Sequence, residues 1–348
     1  MSVRRALTPV LLVVCSLAAN GCSMTQIAAG STVNIIGQAM PAIEQYRDPD
    51  LAEEGIPASI ATMEGLLQIR ADDAVLRSLI ARAYGAYAFG FLEDHMEQAL
   101  ADDDDKTSDH YQKRASLAYT RCRELTLGTL SHWEQDDGGA DGHIKQGLDA
   151  WTAYLKKFDN AEKQVPTLFW GAYCWGRYIG INRDDVNALA DLPFVNALAD
   201  RVFTLDPTYW GYAPHALRAG LIGTAPAQLG GKPEEAKKEF EVAINATGGK
   251  NLMYLVLEAQ IVAVALQDRA LYKKLLDTTL AAPMDLDVNL RLVNQLAKRR
   301  AERYLADIDH LFAPVEPPAN EPAAAASAPV APAPAPAGKP APAAKPAR

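Results

Sequence analysis

Between residues 23 and 312 apolar side chains return every three or four positions, and no stretch of useful length alternates apolar with polar. The first spacing keeps one face of a helix dry, and the second would be needed for a half-buried strand. Ile60, Met63 and Leu67 form one such stripe, in a helix that Pro57 can open. "DDAVLRSLIARAYGAYAFGFLEDHMEQAL" predicts a long apolar helix from Asp73. Pro166 opens "PTLFWGAYCWGRYIG", Pro193 opens "PFVNALADRVFTL", and Pro207 ends that helix before "TYWGYAPHALRAGLIG". Pro233 opens "PEEAKKEFEVAINA", which places Ala236, Phe240, Ala243 and Ile244 on one stripe. Asp268 caps "RALYKKLLDTTLA". A last helix is expected over 286–312, with Leu290, Val293, Ala297, Tyr304, Ile308 and Leu311 inward.

These helices fall into pairs. The first helix of successive pairs starts near Pro166, Thr208 and Asn251, spacings of 42 and 43 residues. In each pair a helix rich in aromatics, Gly and Ala precedes a more charged one. That order predicts an all-α stack of tetratricopeptide (TPR)-like hairpins with a concave face, its period stretched by long connections. The stack ends at residue 312. The remaining 36 residues, Ala313–Arg348, hold 11 prolines and 15 alanines. Such a composition removes backbone donors and offers no bulky apolar face, so a disordered, partly polyproline tail is expected.

The other end is also distinct. Arg4 and Arg5 precede a largely apolar run of 14 residues at 6–19. As a helix this run is roughly 21 Å long, short of the roughly 30 Å bilayer core, so it predicts a signal peptide over 1–21. The segment closes "LAANGC", which is similar to the lipobox of bacterial lipoproteins in its Gly21-Cys22, with Ala19 and Asn20 departing from the usual residues. Cys22 is therefore the expected lipidation site and membrane anchor, the alternative being a secreted chain with a free Cys22. Ser23 rather than aspartate after it implies, by that resemblance, sorting to the outer membrane. Cys122 and Cys174 are left in the folded body, as a disulfide or as two separate buried thiols. The formal charge of −9 argues against nucleic-acid binding.

Local chemistry is sparse. "GGK" occurs at 230–232 and 248–250, but neither copy follows a strand or supplies the Ser/Thr of a phosphate loop. Pro233, Glu234 and Glu235 make the first copy a helix start that repels anions. Gly248 reads as a helix end and Asn251 as the next cap. "DGGADG" at 137–142 fails as a calcium loop because Gly139 and Leu148 stand where carboxylates belong, and "DDDD" at 102–105 reads as a solvated loop. No metal site, cofactor or catalytic motif is expected. An enzyme built on His132 or His143 is the outlying alternative. The aromatics carry more. "FWGAYCWGRY" puts Trp170, Tyr173 and Arg177 on one helical face, with Arg218 and Tyr254 on corresponding helices of later pairs. Together they are candidates for an amphipathic groove, apolar walls with an arginine for an organic acid, against the alternative that the rings only fill the core.

Several longer stretches are similar to one family. "RDPDLAEEGIPASIATMEGLL", "FWGAYCWGRYIGINRDD", "AQLGGKPEEAKKEFEVAI", "GGKNLMYLVLEAQIVAVALQDRALYKKLL" and "RLVNQLAKRRAERYLADIDHLF" resemble segments of the TatT family, the TPR lipoprotein component associated with TRAP (tripartite ATP-independent periplasmic) transporters. The resemblance implies an all-helical periplasmic lipoprotein that meets the substrate-binding subunit of such a transporter. It also implies homo-oligomers such as trimers, and a groove or pore for an apolar or organic-acid ligand. It carries over no catalytic residue. The alternative function is a structural envelope lipoprotein that mediates assembly without a transport role.

Overall fold

A computed structural model describes the backbone of residues 3–224 and 231–312, with side chains from residue 24 onward. The expected tail Ala313–Arg348, Gly230 and the side chain of Cys22 lie outside the described residues. The described chain is all α, with no strand. The helices are α1 (Val3–Glu44), α2 (Pro49–Leu67), α3 (Ala74–Tyr87), α4 (Glu93–Ala101), α5 (Asp105–Trp133), α6 (Gly139–Gln146), α7 (Leu148–Leu155) and α8 (Ala161–Ile181). They continue with α9 (Val186–Ala190), α10 (Leu192–Leu205), α11 (Tyr209–Gly223), α12 (Pro233–Ala246), α13 (Leu252–Glu258), α14 (Arg269–Ala281), α15 (Arg291–Ala306) and α16 (Ile308–Leu311). No described helix is long and apolar enough to cross a membrane.

Caps decide most of the boundaries. Asp48, Asp73, Asp104, Asn160, Asn251 and Asp268 each accept a hydrogen bond from a backbone N–H in the first turn that follows, replacing a partner the helix cannot supply there. Two expected starts are corrected by these caps. Pro57 lies inside α2, which Asp48 and Pro49 open, and Pro166 lies inside α8. At α8 the Asn160 carboxamide accepts from Lys163 N–H, and Gln164 reaches back to Asn160 N–H at 2.8 Å. Two satisfied donors outweigh the one backbone bond that Pro166 removes. The expected helix over 286–312 is also broken, into a 3-10 turn at Val288–Leu290, then α15 and α16. The second "GGK" is the punctuation its sequence predicts: Gly248 and Gly249 both take positive φ and close α12.

The helices pack as a sequential stack. α2 meets α3, α3 meets α5, α5 meets α8, and α8, α10, α11, α12 and α13 follow in order. The stack then returns on itself, because α15 packs against α1, α2 and α4. Ion pairs hold this closure: Arg303 bonds Asp94 at 2.8 Å and Glu97 at 2.6 Å, and Arg299 reaches Asp94 at 3.3 Å. Arg291 donates to the carbonyl of Gln45 at 3.0 Å. A disulfide joins Cys122 on α5 to Cys174 on α8, resolving the two-cysteine alternative in favour of pairing.

One buried group gives the fold a pH dependence. Glu258, at the end of α13, is 3% exposed and makes no ion pair among the described residues. Burial, then the charge of Glu241, raise its pKa to about 7, against the opposing pull of Lys237 and Lys274. A raised folded-state pKa means that the folded state holds the proton more tightly than the unfolded one. Stability is therefore full below the ordinary carboxyl range and falls as pH rises through about 7. Glu258→Gln is expected to remove this dependence, seen as melting temperatures of wild type and variant that diverge between pH 5 and pH 8.

Candidate functional site

The closed stack surrounds a partly open cavity of about 750 Å³. Its walls come from α1, α2, α3, α8, α11, α13 and α15, and are mostly apolar: Met40, Met63, Phe89, Trp170, Leu217, Leu257 and Leu296 among them. Two π-helical turns feed it. Ala88–Leu92 continues α3 into α4 and sets Phe89, Gly90 and Phe91 on the wall, while Ala259–Ala263 follows α13 and sets Ile261 there. A π turn widens the helix locally and turns side chains that an α-helix would point elsewhere, which is why it recurs at functional sites.

Of the five groove candidates, the structure brings Trp170, Tyr173, Arg177 and Tyr254 together on this cavity. Arg218 is set apart. It shares α11 with the wall residues Leu217 and Leu221, but its guanidinium lies over the Phe203 ring at 4.7 Å and beside Glu239 at 3.8 Å. One step along a helix turns a side chain by about 100°, enough to exchange one face for another. Trp170 serves the wall and the core at once. It is 2% exposed, and its ring stands 5.3 Å from Tyr173 and 5.1 Å from Trp210.

Arg177 is already partnered. Its Nε donates to Glu93 Oε1 at 3.0 Å, its Nη2 pairs with Glu93 Oε2, and its guanidinium lies over Phe89. Glu93 also accepts from the Tyr119 hydroxyl. Burial, and then Glu93, hold Tyr119 well above the ordinary phenol pKa. The same cluster fixes the first π turn, since Arg300, 1% exposed, donates to the carbonyl of Phe89 at 2.6 Å and covers its ring at 4.2 Å. Arg82 is matched in the same way by Glu44 and lies over Trp210.

Trp210, Gly211 and Tyr212 start α11 with φ of 45°, 67° and 65°. A positive φ strains the two aromatic residues, and strain of this kind persists only where surrounding contacts enforce it. Here the Tyr254 hydroxyl donates to the carbonyl of Gly211 at 2.9 Å, and Trp210 packs on Trp170. Sequence reading gave no role to Trp210 or Arg183, both on the cavity wall. Trp210 could have been suspected from its Thr-Tyr-Trp-Gly-Tyr context, and Arg183 carried no local signal at all.

Elsewhere, Asp136, Asp137 and His143 hold their ligand atoms within 4.8 Å of one another, the one group of metal-binding geometry among the described residues. Lys157 already pairs with Asp136 there, and the His143 ring bonds the carbonyl of Gly139 at 2.8 Å. In "DDDD", Asp104 caps α5 and all four residues are exposed.

Fold and site together define an all-helical protein: helices packed around an apolar cavity, with two of the three arginines on its wall paired to carboxylates. Residues 45–312, well over half the chain, match the family described as TAtT, TRAP transporter T-component, and the protein belongs to that family. Membership associates it with a TRAP transporter, and so with the cell envelope. No curated protein was found to match the chain.

Proposed function

We propose that the protein is a lipid-anchored periplasmic T-component that docks the solute-binding subunit of a TRAP transporter and holds or passes an apolar or organic-acid ligand. The observation that carries this reading is the partly open apolar cavity, whose volume of about 750 Å³ suits a small organic molecule. The Cys122–Cys174 disulfide supports an oxidising compartment, since such bonds persist outside the cytoplasm. A signal peptide over 1–21, read from Arg4, Arg5 and the apolar run at 6–19, completes the proposal with lipidation at Cys22, outer-membrane sorting and trimeric assembly, which rest on sequence resemblance.

Three measurements test it. The mature chain, crosslinked in cells, is expected to co-purify with a TRAP solute-binding subunit, and its consistent absence removes the docking role. Loss of envelope integrity with intact transport on deleting Ala313–Arg348 would favour a structural lipoprotein instead. For the cavity, Ala86→Trp places an indole in its space from an exposed wall position. It is expected to weaken uptake of apolar ligands at least tenfold while leaving the melting temperature within a few degrees, as surface changes do.

A further inference from the structure

The charges around the cavity do not cancel. Three arginines line it, Arg82, Arg177 and Arg183, against one carboxylate, Glu44. Glu44 pairs with Arg82, and Glu93 reaches in from behind the wall to take Arg177. Arg183, two residues past the end of α8, has only its Nε engaged, donating to the carbonyl of Gly180 at 3.0 Å. Among the described residues no carboxylate forms an ion pair with it, and Nη1 and Nη2 bond no protein group. Arg183 is an exposed residue at the cavity's rim, and partial desolvation, then the charge of Arg177, lower its pKa against the opposing pull of Glu93. A cation in that position gains from any anion that reaches it. In a chain of net charge −9, this is a positive site opening on an apolar cavity.

The rest of the geometry limits what that anion is attached to. From Trp170 to Gly180, α8 lines the cavity over roughly 15 Å of helix axis. Apolar side chains such as Ile179, Leu189 and Leu221 share the cavity lining with Arg183. One unmatched cation suits one monovalent head, and a dianion would leave a buried charge unpaired.

We propose that the cavity binds a single-headed amphiphilic carboxylate, its hydrocarbon tail lying along α8 toward Trp170 and its carboxylate on Nη1 and Nη2 of Arg183. This assignment rests on the reading of the cavity as a ligand site. It moves the acid-binding role from Arg177, which Glu93 occupies, to Arg183.

The test uses the purified full-length chain, two probes with the same tail, dodecanoate and dodecan-1-ol, and calorimetric titration of wild type, Arg183→Gln and Arg183→Lys. Arg183→Gln is expected to weaken dodecanoate by about tenfold to a hundredfold, the range for a hydrogen bond to a charged group, with dodecan-1-ol unchanged. Arg183→Lys is expected to keep most of the dodecanoate affinity. If wild type binds both probes and Arg183→Gln binds dodecanoate equally well, the head assignment falls while the cavity reading stands. Loss of both probes in Arg183→Gln marks a structural role for the arginine and likewise overturns the assignment. If wild type binds neither probe, the cavity reading and the assignment fall together.

Discussion

Arg177→Gln is expected to destabilise the fold by about 3–5 kcal/mol, the usual cost of stranding one member of a buried ion pair. Glu93 is 1% exposed, and apart from Arg177 its bonded partner is the hydroxyl of Tyr119. Without the guanidinium the Glu93 carboxylate would be left in the interior without its ion-pair partner. The loss should appear as a lower urea midpoint at pH 7. Replacing both partners, as Glu93→Leu with Arg177→Met, is expected to recover most of the stability, because neither charge is then left without its counterpart. A single variant as stable as wild type would show that Arg177 is free to serve a ligand after all. The pair also stiffens the cavity wall, because Arg177 and Arg300 both cover Phe89.

The second large effect concerns Cys122 and Cys174. Changing both to serine is expected to cost about 2–4 kcal/mol, since the crosslink restricts the unfolded chain between them. The two cysteines are 52 residues apart in sequence, so the closed loop is long. The bond ties α5 to α8 behind the aromatic wall, where Gly85 leaves room for it: a Cβ there would come within 2.9 Å of the Cys174 sulfur. Wild type in reductant should unfold at the same urea concentration as the double serine variant in air. No change on reduction would mean that the thiols are not paired in solution.

The helical class was legible because amphipathic periodicity and caps act within a few residues. Asp268 and Asn251 cap where their spacing predicts, and Ala236, Phe240 and Ala243 of the α12 stripe are buried, with Ile244 half-buried. Proline misled at 57 and 166, because a cap upstream supplied more bonds than proline removes. Three of the cavity candidates came from one helical face, Trp170, Tyr173 and Arg177, which spacing alone can show. What sequence could not show was long-range pairing. Glu93 is 84 positions from Arg177, and nothing nearby in the chain announces that the arginine is spoken for. The same limit hid Arg183, whose significance is a missing partner. Arg218 failed for a local reason, a difference of one position in helical phase.

The two π turns have a consequence for how relatives of this protein could differ. In each, a backbone N–H bonds the carbonyl five residues back, Glu93 to Ala88 and Val264 to Ala259, so each amounts to one residue more than an α-helix needs. Deleting that residue would let the helix run on regularly and rotate everything beyond it by about 100°. Phe89 or Ile261 would then leave the cavity without any change in residue type. The shape of the chamber is thus written partly in helix length, and single-codon deletions, which a comparison of aligned side chains would score as gaps, would reshape it.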